Sequence, residues 1–259
     1  MADRPAQAIT PARGFMAEHA HYDEDAGFWE AHADRLGGPV CDLGAAAGRV
    51  TVQLAQRGHE VWAVDTDPEM LMVIAERAAA AGVGDQVHPV LGSMTETLPI
   101  VDAGLIVAAM NTLQLLRSED EQVACLSRAA TALRPGGEMI FDLALPAFPA
   151  IGDILGEVLD TGSSLDPGTG DRLVHTARFE TVNADTGDVR MRIMIARVHP
   201  GGTRTAVERL HHLHMYAPDE IPRLAERAGL MVLEAAGGFH GEPLSDNSER
   251  HVWRLGRSG

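Results

Sequence analysis

Cysteine is scarce in this chain: 259 residues contain two, Cys41 and Cys125. One lies in an apolar run and the other in a helical pattern, so no disulfide framework can be drawn and a reducing cytoplasm is the expected setting. Cations are also few, 21 Lys and Arg against 37 Asp and Glu, for a formal net charge of -16. Such a surface repels a phosphate backbone, whose binding depends on Lys and Arg releasing counterions, so no nucleic-acid partner is expected. Long hydrophobic runs are missing too. No stretch approaches the roughly 18 apolar residues of a membrane span, and the opening MADRPAQAITPARGF lacks the charged-then-apolar order of a secretion signal. The chain is read as soluble, with no membrane partner.

What is present points to an ordinary globular core, with 45% hydrophobic and 22% charged residues. The length suits one large α/β domain or two small ones. From Pro39 onward, short apolar runs alternate with segments of helical period, the pattern of a parallel sheet covered by helices on both faces. The expected strands are PVCDL, EVWAVD, QVHPVL, AGLIVAAM and GEMIFDL. Helices are expected near 49–57, 68–81 and 119–133, the second with Asp67 as N-cap and Pro68 in its first turn, the third with Ser118 as N-cap. RPGG at Arg134 to Gly137 should stop the third helix and turn into a strand.

After Leu145 a Pro- and Gly-rich segment leads to three alternating runs, DRLVHTARFETV, DVRMRIMIARV and TRTAVERLHHLHMY, separated by NADTG and HPGG turns. These are hairpin signals, so a small antiparallel sheet is expected as an insertion. The chain returns through a helix, APDEIPRLAERAG, to two last strands, LMVLEAAGGF and RHVWRLGR. Before the first strand, AEHAHYDEDAGFWEAHADRL is one amphipathic helical pattern, so the domain reading is an N-terminal helical segment over 1–36, a core of 37–145 with 217–259, and an inserted antiparallel β cap over 146–216.

DLGAAAG, from Asp42 to Gly48, follows the first strand. A backbone that turns sharply into a helix and lets a ligand lie against it cannot carry bulky side chains there. A dinucleotide turn would read G-x-G-x-x-G, but Ala46 and Arg49 stand at its second and third glycine places. Asp42 at the strand end would repel a pyrophosphate and attract an ammonium group. Asp65, 23 positions further on, ends the second strand where an acid accepts hydrogen bonds from ribose hydroxyls. A nucleoside bearing an amino acid satisfies both acids. The competing reading is that Gly44 and Gly48 allow tight packing and Asp42 is a cap.

With these residues the sequence resembles the class I S-adenosylmethionine-dependent methyltransferases of small-molecule type, from about Tyr22 to Gly237. The resemblance rests on Asp42 to Gly48, on VDTDPEML, on VLGSMTETLP and on LRPGGEMIFDL, in that order. It implies a Rossmann-like, mostly parallel seven-stranded sheet, S-adenosylmethionine as cofactor and S-adenosylhomocysteine as product. It further implies that Asp42 holds the methionine amine, and that Gly44, Ala45, Ala46 and Gly48 pass the methionine and ribose. Asp65 with Thr66 would bind the ribose, while Met70, Leu71, Ser93 and Met94 would frame the adenine. Ala109 and Met110 would lie beside the methionine part, with Asn111 within reach of substrate. The resemblance makes the helical segment over 1–36 a lid that closes over the cofactor, with Tyr22 and Arg49 as candidates for the methionine carboxylate and Trp29 for covering the pocket. The sequence departs from the family at Ala46, where glycine is usual, at Ser93, where an aspartate commonly meets adenine, and at Leu115, where many relatives carry histidine.

Methyl transfer from a sulfonium is an in-line displacement and demands no metal. A hydroxyl or carbon acceptor needs a base, whereas a neutral amine needs only its lone pair. ERLHHLHMY offers His211, His212 and His214, of which His212 and His214 share a strand face. A solvated strand is the alternative for them, and a zinc site lacks a third ligand of recognisable spacing. Asn111 can equally cap the turn after its strand, and Phe28, Trp29 and Tyr22 can equally dock a surface helix. The expectation is methyl transfer to an oxygen or nitrogen, less readily a carbon, of a small metabolite; a homodimer is compatible with it. Two alternatives are an enzyme that uses the sulfonium without transferring methyl, and an NAD-binding oxidoreductase.

Overall fold

The structure, a computed structural model, describes residues 9–145, 147–166, 169–199, 203–245 and 247–258. In chain order it contains α1 (Pro11–Glu18), α2 (Ala26–Leu36), β1 (Val40–Leu43), α3 (Arg49–Gln56), β2 (Val61–Asp65), α4 (Pro68–Ala80), β3 (Val87–Leu91), β4 (Ala103–Ala108), α5 (Glu119–Ala132) and β5 (Leu133–Ala144). There follow α6 (Phe148–Asp153), β6 (Leu159–Leu165), β7 (Arg172–Asn183), β8 (Asp188–Val198), β9 (Arg204–His214), α7 (Glu220–Arg227), β10 (Leu230–Ala236) and β11 (Arg250–Arg257).

The contacts divide the chain into two units, Met1–Tyr22 with Ala147–His212 and Asp23–Pro146 with Leu213–Gly259. The larger holds a seven-stranded sheet in the order β10-β11-β5-β4-β1-β2-β3. β5, β4, β1, β2 and β3 pair in parallel, and β11 runs antiparallel to both β5 and β10. Every residue of β1 and β4 is buried, which is why these strands read as unbroken apolar runs instead of alternating ones. One apolar layer, with Ile106, Phe141, Leu126 and Leu224, forms under α5 and α7. The opposite layer joins Leu105, Ile140, Leu54, Ile74 and Trp29 under α2, α3 and α4.

Local chemistry sets the helix starts. The Asp67 side chain accepts the Glu69 N–H at 2.9 Å ahead of Pro68. Ser118 and Glu121 form a reciprocal capping box. Two expectations needed correction. The third helix stops at Ala132 without a glycine, and Arg134 to Gly137 lie inside β5, where the pairing with β4 shifts register and Gly136 has φ +75°. The single amphipathic pattern before β1 is two helices, separated by 19–25.

The smaller unit carries a four-stranded sheet ordered β6-β7-β8-β9, antiparallel from β6 to β8. β7, β8 and β9 fall where the alternation placed them. β6 was missed because it is an edge strand, largely exposed, and so carries no buried-and-wet alternation. Within this unit Ile9, Ala17, Leu173 and Ile195 form a small core, and a Cβ at Gly14 would come within 2.9 Å of Ile195. Pro200 to Gly202 of the expected HPGG turn lie outside the described residues. No described helix is long and apolar enough to cross a membrane.

Candidate functional site

The ends of β1, β2 and β4 lie side by side in the larger unit, because Asp42 pairs with Ala63 on one side and Val107 on the other. The glycine-rich turn leaves β1 at this edge. Gly44, Ala46 and Gly48 have φ of +61°, +47° and +72°. Glycine occupies this region without steric cost, while Ala46 keeps a Cβ there. Close approach explains both glycines: a Cβ at Gly44 would lie 2.5 Å from Thr112 Cγ2, and one at Gly48 would lie 2.8 Å from Ile74 Cγ1. Ala45 and Ala47 are buried.

Asp42 is 3% exposed and its Oδ2 accepts the Thr51 hydroxyl at 2.6 Å. Burial pushes its carboxyl up to about 6; Thr51 and Arg49 oppose the rise and the Asp65 charge adds to it. Such a group favours a cation beside it. Asp65 is fixed by two backbone donors, the Ala46 N–H on Oδ2 at 2.8 Å and the Asp67 N–H on Oδ1 at 2.9 Å. A carboxylate offers about four lone-pair positions, so both oxygens keep acceptor capacity for a pair of hydroxyls. These two acids therefore fit the amine and diol of an aminoacyl nucleoside.

The remaining residues of the first two strand ends are placed as follows. Thr66 is exposed in the bend after β2, Met70 is buried in the first turn of α4, and Leu71 packs half-buried against the α2 to α4 layer. Ser93 bonds Thr95, hydroxyl to hydroxyl at 2.8 Å, and accepts its N–H at 3.2 Å, so the loop after β3 is locally tied. Met94 packs against the α5 and α7 layer. After β4, Ala109 is half-buried, and Met110 and Asn111 have φ of +54° and +65°. The Asn111 amide oxygen accepts the Ala144 N–H at 2.6 Å, and Leu115 is 47% exposed.

Arg49 and Trp29 both meet a residue the sequence reading passed over. Asp25 is fully buried, accepting both guanidinium branches of Arg49 at 2.6 and 2.7 Å and the Trp29 indole N–H at 2.7 Å. Asp142, Arg250 and Thr51 were missed likewise. Asp142 accepts the Met110 N–H at 2.7 Å and Arg250 at 2.6 Å, and burial pushes its carboxyl up to about 6 against the pull of Arg250. FDL in the fifth strand was the only available signal, a lone acid in an apolar run.

The histidines separate. His214 is 9% exposed, its Nε2 lies 3.2 Å from Glu220 Oε1, and its ring meets Tyr216 edge-on at 4.7 Å. Tyr22, His211 and His212 belong to the smaller unit, where burial, with Arg209 and His19 nearby, brings His211 down to about 4. Among the described residues no group of three or more His, Cys, Asp or Glu could hold a metal ion.

Residues 40–137, from β1 into β5, match a family model described as a methyltransferase domain. Cypemycin N-terminal methyltransferase of a Streptomyces species is 28% identical over 229 residues, covering 88% of this chain and 86% of that protein. A ribosomal protein L11 methyltransferase of Geobacter sp. strain M21 is 34% identical over 118 residues, and the chain spans 35% of its length. Among solved structures, the CcbJ methyltransferase of Streptomyces caelestis is 27% identical, with a TM-score of 0.73 over 96% of this chain and 99% of that one. The sheet order, the glycine-rich turn between two acids, and these likenesses agree: residues 40–137 form a methyltransferase domain, on the fold of the class I S-adenosylmethionine-dependent methyltransferases.

Proposed function

We propose that the protein methylates a nitrogen of a small-molecule amine. The observation that carries this reading is the likeness to cypemycin N-terminal methyltransferase, which runs over 86% of that protein, whose name places its methyl group on a terminal amine. Chemistry supports it, because a neutral amine attacks with its own lone pair and needs no fixed base. His214, the imidazole of β9 in the larger unit, is engaged with Glu220.

In this reading Asp42 grips the cofactor's ammonium group, and Asp65, beside Thr66, takes the ribose hydroxyls. Gly44, Ala45, Ala46 and Gly48 let the nucleoside lie against the backbone, and Met70, Ser93 and Met94 frame the adenine. Ala109 and Met110 flank the methionine end. Arg49 is bonded bidentately to Asp25, so we assign it to anchoring α2 on α3. When bound, S-adenosylmethionine supplies an electrophilic methyl group on a sulfonium, in line with the acceptor's lone pair. The residues of the chain orient that line and keep water from it. The buried free thiols Cys41 and Cys125, both pushed up by burial, suit a cytoplasmic location. The net charge of -16 speaks against nucleic acid as acceptor.

The test is incubation of the purified protein with S-adenosylmethionine and two panels, one of amino sugars and peptide α-amines, the other of alcohols and phenols. Mass spectrometry should find an amine one methylene heavier together with S-adenosylhomocysteine. Methylation confined to the hydroxyl panel, or affinity for NAD with none for the sulfonium nucleoside, would overturn the reading.

A further inference from the structure

The turn that follows β4 is held by a residue that belongs to neither the glycine-rich turn nor the turn itself. Met110 and Asn111 are successive non-glycine residues in the left-handed region, a strained arrangement that persists only where the surroundings enforce it. The enforcement comes from the end of β5. Asp142, fully buried, accepts the Met110 N–H on Oδ1 at 2.7 Å, and its backbone carbonyl accepts the Asn111 N–H at 3.2 Å. Arg250 of β11 donates to the other carboxylate oxygen at 2.6 Å and so fixes the direction in which Oδ1 points. The Gln114 side-chain amide then donates to the Ala144 carbonyl at 3.0 Å, beside the Asn111 bond to the Ala144 N–H.

Thr112, the next residue after this turn, is buried and donates its hydroxyl to the Ala109 carbonyl at 2.7 Å. Its methyl group is the atom that leaves no room for a Cβ on Gly44. Any relaxation of Met110 and Asn111 to ordinary dihedrals must therefore move Thr112 against or away from the glycine-rich backbone. A carboxylate sealed from water is costly unless paired and hydrogen-bonded, and a merely space-filling role at this place in β5 would not call for one.

We propose that Asp142 is a positioning residue for the cofactor site, acting through the Met110–Asn111 turn and Thr112 on the backbone at Gly44, with Arg250 aligning its carboxylate. The proposal rests on S-adenosylmethionine as cofactor and is independent of the acceptor.

Two readouts test it on the full chain: titration with S-adenosylhomocysteine, and hydrogen exchange of the amides in 109–116. Asp142→Ala should weaken binding about tenfold or more, equivalent to about 1.4 kcal/mol, and speed exchange in 109–116. Asp142→Asn keeps an acceptor for the Met110 N–H, so it should stay within about threefold of the wild type. Arg250→Gln, a milder change that guards against a misfolded alanine variant, should also speed exchange there and weaken binding. Wild-type affinity in folded Asp142→Ala, or wild-type exchange over 109–116 in both Asp142→Ala and Arg250→Gln, would overturn the proposal. Exchange needs no ligand, so a wild-type protein that ignored S-adenosylhomocysteine would sink the cofactor assignment and leave the exchange comparison to decide the clamp.

Discussion

Arg49 and Asp25 meet through two parallel hydrogen bonds of 2.6 and 2.7 Å, with the Asp25 side chain fully enclosed and that of Arg49 17% exposed. Arg49 opens α3, where a cation opposes the helix dipole. Asp25 offsets that charge from the residue just before α2, where its side chain makes no capping bond, so one ion pair ties the two helices that pack on the same face of the sheet.

Asp25→Ala removes both of these bonds to Arg49 and the acceptor of the Trp29 indole N–H, and breaking a buried pair from one side costs about 3–5 kcal/mol. Urea denaturation should show a lower midpoint with an unchanged slope. An unaltered midpoint would mean that the pair contributes nothing to the folded state.

Asp42 gives a pH dependence with a definite sign. Its carboxyl sits near 6 in the folded protein against an ordinary 3.8, so the folded state holds the proton more tightly than the unfolded chain. The stability this provides is complete below about 3.8 and is lost as pH rises through about 6. Asp42→Asn should flatten that part of the stability curve. Cofactor binding should move the other way, because an ammonium group requires the ionised acid, and affinity should fall as pH drops below about 6. Asp142 titrates over the same range, so the comparison that counts is wild type against Asp42→Asn. A pH profile unchanged by that substitution would remove Asp42 from the amine site.

Asp65→Ala removes the acceptor fixed by Ala46 and Asp67. Losing two charge-assisted hydrogen bonds should weaken S-adenosylhomocysteine by more than about 1.5 kcal/mol. Calorimetric titration giving wild-type affinity contradicts the ribose assignment.

At Gly44 the strain of a left-handed alanine adds to a contact of 2.5 Å with Thr112 Cγ2. Gly44→Ala should cost about 1–3 kcal/mol of stability. Adding Thr112→Ser, which deletes that methyl group, should recover part of the loss. If the pair of substitutions is simply additive, the two residues do not press on each other.

His214→Ala separates a structural role from a proton-transfer role. The bond to Glu220 and the ring contact with Tyr216 together predict a stability loss of about 1–2 kcal/mol. With an amine acceptor, turnover should remain within about threefold. A fall in kcat well beyond tenfold at unchanged S-adenosylhomocysteine affinity would instead make this imidazole the base.

Glu138 works in the opposite sense to Asp42. Burial raises its carboxyl, but hydrogen bonds from Arg254 and Arg35 overcome this and hold it at about 2. Its stabilisation is present above about 4.5 and disappears as pH falls toward 2. Glu138→Gln should therefore lower stability at neutral pH, with the gap to the wild type closing in acid.

The sequence by itself determined what depends on near neighbours. Unbroken apolar runs announced the buried strands β1 and β4, since both faces of a central parallel strand are covered. Asp67 and Ser118 marked their helix starts because a cap acts over three residues. The two acids around Gly44 and Gly48 were legible because strand, turn and helix follow one another along the chain. Only the tertiary structure decided the rest. Asp142 and Arg250 are 108 positions apart, and Asp25 and Arg49 are 24 apart; each pair is joined by sheet register or helix packing, which no local period encodes. The edge strand β6 escaped because its ladder is made of backbone bonds, to which its exposed side chains give no clue.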